Sequence, residues 1–253
     1  MATAPQIDAV NEFQNLFKML FKGQNWMLAL PILIGFIVAG IVLGIVFFIA
    51  IAPLLGAAMM SGNNSAANAG AAGLGFLSIV LIGIGCLVAI VLIMLTYAWA
   101  IEAAEPMWGG GAPDIGGGIG RAMGKLGPVA IGGGIVAIVM LLLGITFIGP
   151  IIWGFFCLYV LPLIVLGNAG GTGAIGASIK LVRENLGPTL MLLLGLIVVG
   201  IAGGIVNAIL GIIPILGHIV ALAVSSVLGA FNVLAIVRWY KLLTHTGTAV
   251  VPT

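Results

Sequence analysis

The chain has 253 residues, of which 62 % are hydrophobic and 6 % charged. Soluble domains carry about 25 % charged residues, so fourteen charges could not cover a water-soluble fold of this size. The formal net charge of +2 is too small to suggest a nucleic-acid partner, and the class is polytopic integral membrane protein.

Residues 6–24, QIDAVNEFQNLFKMLFKGQ, do not read as a span. Ile7, Val10, Phe13, Leu16, Phe17, Leu20 and Phe21 recur at three- and four-residue spacing, and Asp8, Glu12, Lys18 and Lys22 fill positions between them. That pattern predicts an amphipathic helix in the membrane interface. The first apolar run starts at Trp26 without the order of a signal peptide, and it is read as a retained helix.

Six apolar runs are each long enough to cross a bilayer, at about 26–52, 74–101, 128–148, 151–168, 188–210 and 213–237. They pair into three hairpins. The first pair is expected to turn at IAPLLG and continue through the polar loop SGNNSAANAGAAG; the second turns at FIGP and the third at GIIPILG. Each turn holds a proline (Pro53, Pro150, Pro214), which stops a helix because it lacks the amide donor. Two Gly-rich, charged stretches precede the later hairpins, IGGGIGRAMGKLGP at 115–128 and IGASIKLVRENLGP at 175–188. Both end in Leu-Gly-Pro after two basic residues three or four apart. The repeating unit is thus an interfacial helix followed by a transmembrane hairpin, used three times. The expectation is an all-α fold forming a single membrane domain over 1–253, with hairpins at 26–101, 115–168 and 175–243, the last two including their interfacial helices.

Charge placement gives orientation. With six crossings, Lys18, Lys22, Arg121, Lys125, Lys180, Arg183, Arg238 and Lys241 fall on one side, and so do all six acids. The positive-inside rule makes that side the cytoplasm, with both termini there and the plasma membrane as location. Trp26, Trp99, Trp153 and Trp239 lie near span ends, as an aromatic belt requires. The eight cations are candidate contacts for anionic lipid headgroups, at about 1 kcal/mol each.

An ionisable residue within a span is the default mark of a functional path. The candidate is His218, with Ser225 and Asn232 at seven-residue steps on the same helical face. The stripe reads either as the lining of a substrate path or as an interfacial histidine with small polar residues bonding to neighbouring helices. Glu102 and Glu105 read as solvated charges closing a helix. Glu184 reads as a surface ion pair with Arg183 or Lys180. Cys86 and Cys157 lie in apolar runs without ligand spacing and read as small buried side chains. GGGAPDIGGGIG at 109–120 mimics a nucleotide fingerprint but follows a transmembrane helix, which excludes it. Gly40 with Gly44, and Gly200 with Gly204, have GxxxG spacing and predict close helix crossings, within the chain or between chains.

AIGASIKLVRENLGPTLMLLLGLIVV, with YVLPLIV upstream, resembles the membrane domain that precedes the catalytic domain of some bacterial glycerophosphodiester phosphodiesterases, and its stand-alone relatives. The resemblance is best over 115–243. It implies a six-helix domain of unknown biochemical role, and the phosphodiesterase chemistry does not carry over, because it belongs to a separate soluble barrel. The expected function is non-enzymatic: organising lipid or a membrane complex, with lipids, membrane proteins or a second copy as partners and no cofactor. The alternative is a transporter or permeation path for a neutral or hydrophobic solute, motivated by the His218 stripe. An intramembrane enzyme would need a converging nucleophile and base, and none can be named.

Overall fold

The computed structural model describes residues 7–60, 65–146 and 148–244. Part of the expected polar loop (61–64) and Phe147 of the FIGP turn lie outside the described residues, as does Gln6 at the start of the first expected helix. The described chain is all-helical, and five of its helices are long and apolar enough to cross a membrane.

Ten α-helices follow one another: α1 (Ala9–Leu20), α2 (Ala29–Met60), α3 (Ser65–Ala104), α4 (Ile115–Met123), α5 (Leu126–Leu143), α6 (Gly149–Phe156), α7 (Val160–Val165), α8 (Gly171–Glu184), α9 (Leu186–Leu210) and α10 (Leu216–Leu243). The short helices α1 and α4 begin at side-chain caps. Asp8 accepts from the Asn11 amide (3.2 Å), and Asp114 accepts from the Gly117 amide (2.8 Å). Each carboxylate satisfies an N-terminal amide that the helix itself leaves open.

Two expectations need correction. Pro53 does not stop the first long helix: α2 runs through it to Met60. A helix in hydrocarbon accommodates proline where neighbouring groups satisfy the backbone it frees, and the Ser78 hydroxyl of α3 donates to the Ala50 carbonyl in the turn before Pro53 (2.6 Å). The sequence stays apolar past Pro53, through LLGAAMM, so nothing in the helix marks the end expected at 52. The expected fourth span, 151–168, is not one helix. It is broken between α6 and α7 at Cys157, Leu158 and Tyr159. Pro162 explains the break, since its ring cannot follow the carbonyl of Leu158 in a continuous helix, whereas the first turn of a new helix accepts it.

The break is closed by a neighbour. Ser178 of α8 is fully buried; its hydroxyl accepts from the Tyr159 amide (3.2 Å) and donates to the Phe156 carbonyl (2.7 Å). The Tyr159 hydroxyl lies 3.3 Å from that of Thr189 on α9. Backbone groups released in an apolar interior cost several kcal/mol each if left open, so α8 supplies what the broken segment lacks. Although broken, α6 and α7 run back along α5: the Trp153 indole donates to the Val136 carbonyl, and Lys125, at the start of α5, donates to the carbonyl of Val165.

Within the chain, close crossings occur at glycines other than those expected. Nothing lies within 4 Å of where a Cβ would stand on Gly40, Gly44, Gly200 or Gly204. The backbone instead approaches a neighbour at Gly35 (Thr96), Gly85 (Val46), Gly133 (Met94) and Gly203 (Leu228). Gly171 makes the tightest backbone contact between α8 and α5: a Cβ there would stand 2.7 Å from the Pro128 carbonyl and 2.8 Å from the Gly132 amide. At the α9–α10 turn, Ile215 takes φ +58° and ψ −65°, and the Leu216 amide donates to the Pro214 carbonyl at 2.6 Å. This is a γ-turn of the strained kind.

Candidate functional site

The charged residues gather at one end of the bundle because direct contacts hold them there. The last turns of α3, from Ala98 to Ala104, are buried, and α4 lies against them. The Trp99 indole donates to the Ile115 carbonyl (2.8 Å), and the Asp114 amide donates to the Ala103 carbonyl (2.9 Å). Gly118 permits this approach, since a Cβ would stand 2.9 Å from the Ala103 nitrogen.

Arg121 and Lys125 are four residues apart, a spacing that puts both on one side of a helical path. That side faces Glu102. Arg121 Nε donates to one carboxylate oxygen at 3.1 Å, and Lys125 Nζ to the other at 2.8 Å. Arg121 also reaches Asp114 at 3.0 Å. Asp114 is held below the usual carboxylate range, first by the Gly117 amide and then by the Arg121 guanidinium. The Glu102 side chain is 8 % exposed, so it is not the solvated helix-end charge that its position suggested. A carboxylate leaves water at this cost only where cations and hydrogen bonds replace the lost hydration.

Two further pairs close the same end. Arg238 of α10 grips Glu12 of α1 in bidentate fashion, with Nε and Nη2 at 2.9 and 3.1 Å. Lys241 meets Glu105 at 2.7 Å and sits over the Trp108 ring, 5.4 Å from its centre. Phe13 stacks on Phe231 and packs at a tilt against Trp239, and the Trp239 indole donates to the Pro188 carbonyl at 3.0 Å. The first and last parts of the chain are thereby joined through both charge and aromatic contact.

Of the eight predicted cations, four are taken up within the chain: Arg121, Lys125, Arg238 and Lys241. They bind Glu102, Asp114, Glu12 and Glu105. The other four face outward. Lys18 and Lys22 are exposed and make no ion pair among the described residues, and Lys180 is 3.9 Å from Glu184 with both side chains well exposed. Arg183 lies over the Phe156 ring at 5.9 Å.

The stripe His218, Ser225 and Asn232 does not act as one unit. His218 is exposed at the far end of α10 from the ion pairs. Ser225 accepts from the Asn207 side chain of α9 at 2.9 Å, a helix-to-helix bond within the apolar region. Asn232 is half-buried near the charged end, its amide oxygen without a partner. None of the three lines the α1–α9 groove or the cavity of about 210 Å³ beside the helix break. Among the described residues, no three His, Cys, Asp or Glu side chains gather as a metal site would need.

Sequence reasoning missed the Glu102 cluster, the Glu12–Arg238 pair and the role of Ser178; a bond from Ser225 to a neighbouring helix was one of its two readings of the stripe, without Asn207 as the partner. The i, i+4 spacing of Arg121 and Lys125 was the one local signal, and it was read as facing lipid. No family model matches the chain, and no curated protein or solved structure matches it either.

Proposed function

We propose that the chain is a non-enzymatic multi-pass membrane protein that organises anionic lipid, or a complex assembled on it, at the cytoplasmic face of the plasma membrane. The observation that carries this reading is the division of the cations. Carboxylates fix four of them and so stiffen one end of the bundle, while Lys18, Lys22, Lys180 and Arg183 face outward. An ordered array of outward cations beside apolar helices suits a headgroup layer.

In this reading the membrane is crossed six times, in three hairpins, with α6 and α7 together making the fourth crossing. The Lys125–Val165 bond supports it, because it returns the end of α7 to the level where α5 starts. Helices α1, α4 and α8 lie at the cytoplasmic interface, and both termini share that side by the positive-inside rule. Kinship with the membrane domain of bacterial glycerophosphodiester phosphodiesterases belongs to the same proposal and rests on the 115–243 sequence. Permeation of a solute is not carried further, because the stripe that motivated it is split among an exposed histidine, an interhelical bond and a separate asparagine.

The test is the association of spin-labelled phosphatidylglycerol against phosphatidylcholine with the reconstituted protein. Each outward cation contributes about fivefold at ~1 kcal/mol. The wild type should prefer the anionic lipid, and a variant with Lys18, Lys22, Lys180 and Arg183 all changed to Gln should not. Equal association of both lipids with the wild type would refute the proposal.

A further inference from the structure

Helix α1 is held against α10, by Glu12–Arg238 and by Phe13 on Phe231, and it also meets α9. Beside their contact runs a groove of about 570 Å³, lined by Val10, Phe13 and Phe17 of α1 and by Gly195 and Val198 of α9. The Phe13 ring packs directly on Gly195, which has no side chain to close the floor. The groove opens sideways: Val10 is 67 % exposed and Val198 is 66 % exposed. Lys18 also lines it, and Lys22, exposed, follows four residues later in the turn after α1.

We propose that this groove holds an acyl chain of one anionic phospholipid, whose headgroup is bound by Lys18 and Lys22. The inference rests on the reading that α1 lies at the membrane interface. The volume falls within the range of ligand sites, roughly 300–1,000 Å³.

Charge decides the class of lipid. Arg238 neutralises Glu12, the acidic residue in the first turn of α1. Asp8 caps the opposite end of the helix, ten residues from Lys18. At about 1.5 Å per residue that is ~15 Å, beyond a Debye length at physiological salt. The groove is therefore apolar, with Lys18 on its lining and Lys22 in the turn just after α1, and neither lysine makes an ion pair among the described residues. A neutral lipid would leave both lysines without a counter-ion. A second copy docking through the same face would bring its own Lys18 and Lys22 against these.

Specificity must come from the headgroup. An acyl chain gains nothing by leaving bilayer hydrocarbon for an equally apolar groove except better packing. Selection by headgroup charge, with little dependence on chain length, follows.

Native mass spectrometry of the full chain, released from nanodiscs of phosphatidylglycerol and phosphatidylcholine in equal amounts, tests this. The wild type should retain one phosphatidylglycerol. Val198→Trp, which fills the groove from α9, should lose it, and Val10→Trp, which fills it from α1, should do the same if Val198→Trp fails to fold. Lys18→Gln with Lys22→Gln should lower the preference for phosphatidylglycerol roughly ten- to thirtyfold. Lys180→Gln with Arg183→Gln, outside the groove, should keep the bound lipid. Retention unchanged in the filled variants overturns the proposal. So does retention of phosphatidylcholine as readily as phosphatidylglycerol by a wild type that still enriches anionic spin label at its surface. A dimer that disappears on filling the groove shows that a second copy is the occupant and overturns it as well. If the wild type enriches no anionic lipid in either assay, the lipid-organising function itself is wrong.

Discussion

The Glu12–Arg238 pair joins residues 226 positions apart and is the strongest single tie between α1 and the spans. Its two bonds are 2.9 and 3.1 Å long, and the side chains are 10 % (Arg238) and 20 % (Glu12) exposed. Two unit charges about 4 Å apart gain ~4 kcal/mol at an effective dielectric constant of ~20. An exposed pair yields about 0–1 kcal/mol, whereas removing one partner of a buried pair costs about 3–5 kcal/mol. The exposure here places the pair nearer the buried limit, so a coupling energy of about 2–4 kcal/mol is expected. A double-mutant cycle of Glu12→Gln, Arg238→Gln and both together isolates that coupling. It would be read from reversible unfolding in mixed micelles titrated with dodecyl sulfate. Glu12→Gln should also speed amide exchange along Ala9–Leu20 and leave α5 unchanged. A coupling under ~1 kcal/mol, with α1 still protected, would refute the claim that this pair fastens the helix.

The buried Glu102 should matter more than the exposed Glu105: Glu102→Gln is expected to cost about 3 kcal/mol and Glu105→Gln less than about 1, compared by the same unfolding titration. Ser178→Ala removes the bridge across the helix break and should cost about 1–3 kcal/mol, because the Tyr159 amide and Phe156 carbonyl are left open; a loss below about 0.5 kcal/mol would show that the break closes by itself. Gly171→Ala should destabilise by about 1–3 kcal/mol by pushing α8 off α5, while Gly40→Ala and Gly200→Ala, which point into open space, should leave the midpoint unchanged. Asp114 has a folded pKa below its ordinary 3.8, so its contribution is complete above that pH and is lost as the pH falls through the lower folded value. Thermal midpoints followed from pH 5 to pH 2 should therefore drop less steeply for Asp114→Asn than for the wild type.

Composition and run length made the long helices legible, since hydrocarbon imposes a single requirement along the whole segment. Both ends of α9 fall close to where charge and proline placed them, whereas α5 ends at Leu143, short of the expected 148, and α10 runs to Leu243, past the expected 237. The break in the fourth run was within reach, because Pro162 is in the sequence, but apolar composition outweighed it in the reading. Pro53 misled in the opposite direction, since proline stops a helix more reliably in water than in lipid. The charged end was legible as a side and not as a set of partners. Nothing local to Glu12 points to Arg238, and the apolar residues before Glu102 hide the fact that α4 folds back over it. The glycine spacings do not mark crossings within the chain for a similar reason: Gly203 makes the crossing and its neighbour Gly204 does not, and only the rotation of α9 against α10 decides between them.

The measurement that tests the account most directly is the sidedness of Ile145 and Gly187, which flank the broken segment. Ile145 lies in the exposed turn after α5, and Gly187 opens α9. Single cysteines at these positions, with Cys86 and Cys157 replaced by Ala, would be treated with a membrane-impermeant maleimide on sealed vesicles of known orientation. Labelling from opposite sides, with Gly187 on the cytoplasmic face, is the predicted result. Labelling of both from the same side would mean that α6 and α7 do not cross, and the six-crossing account would be contradicted.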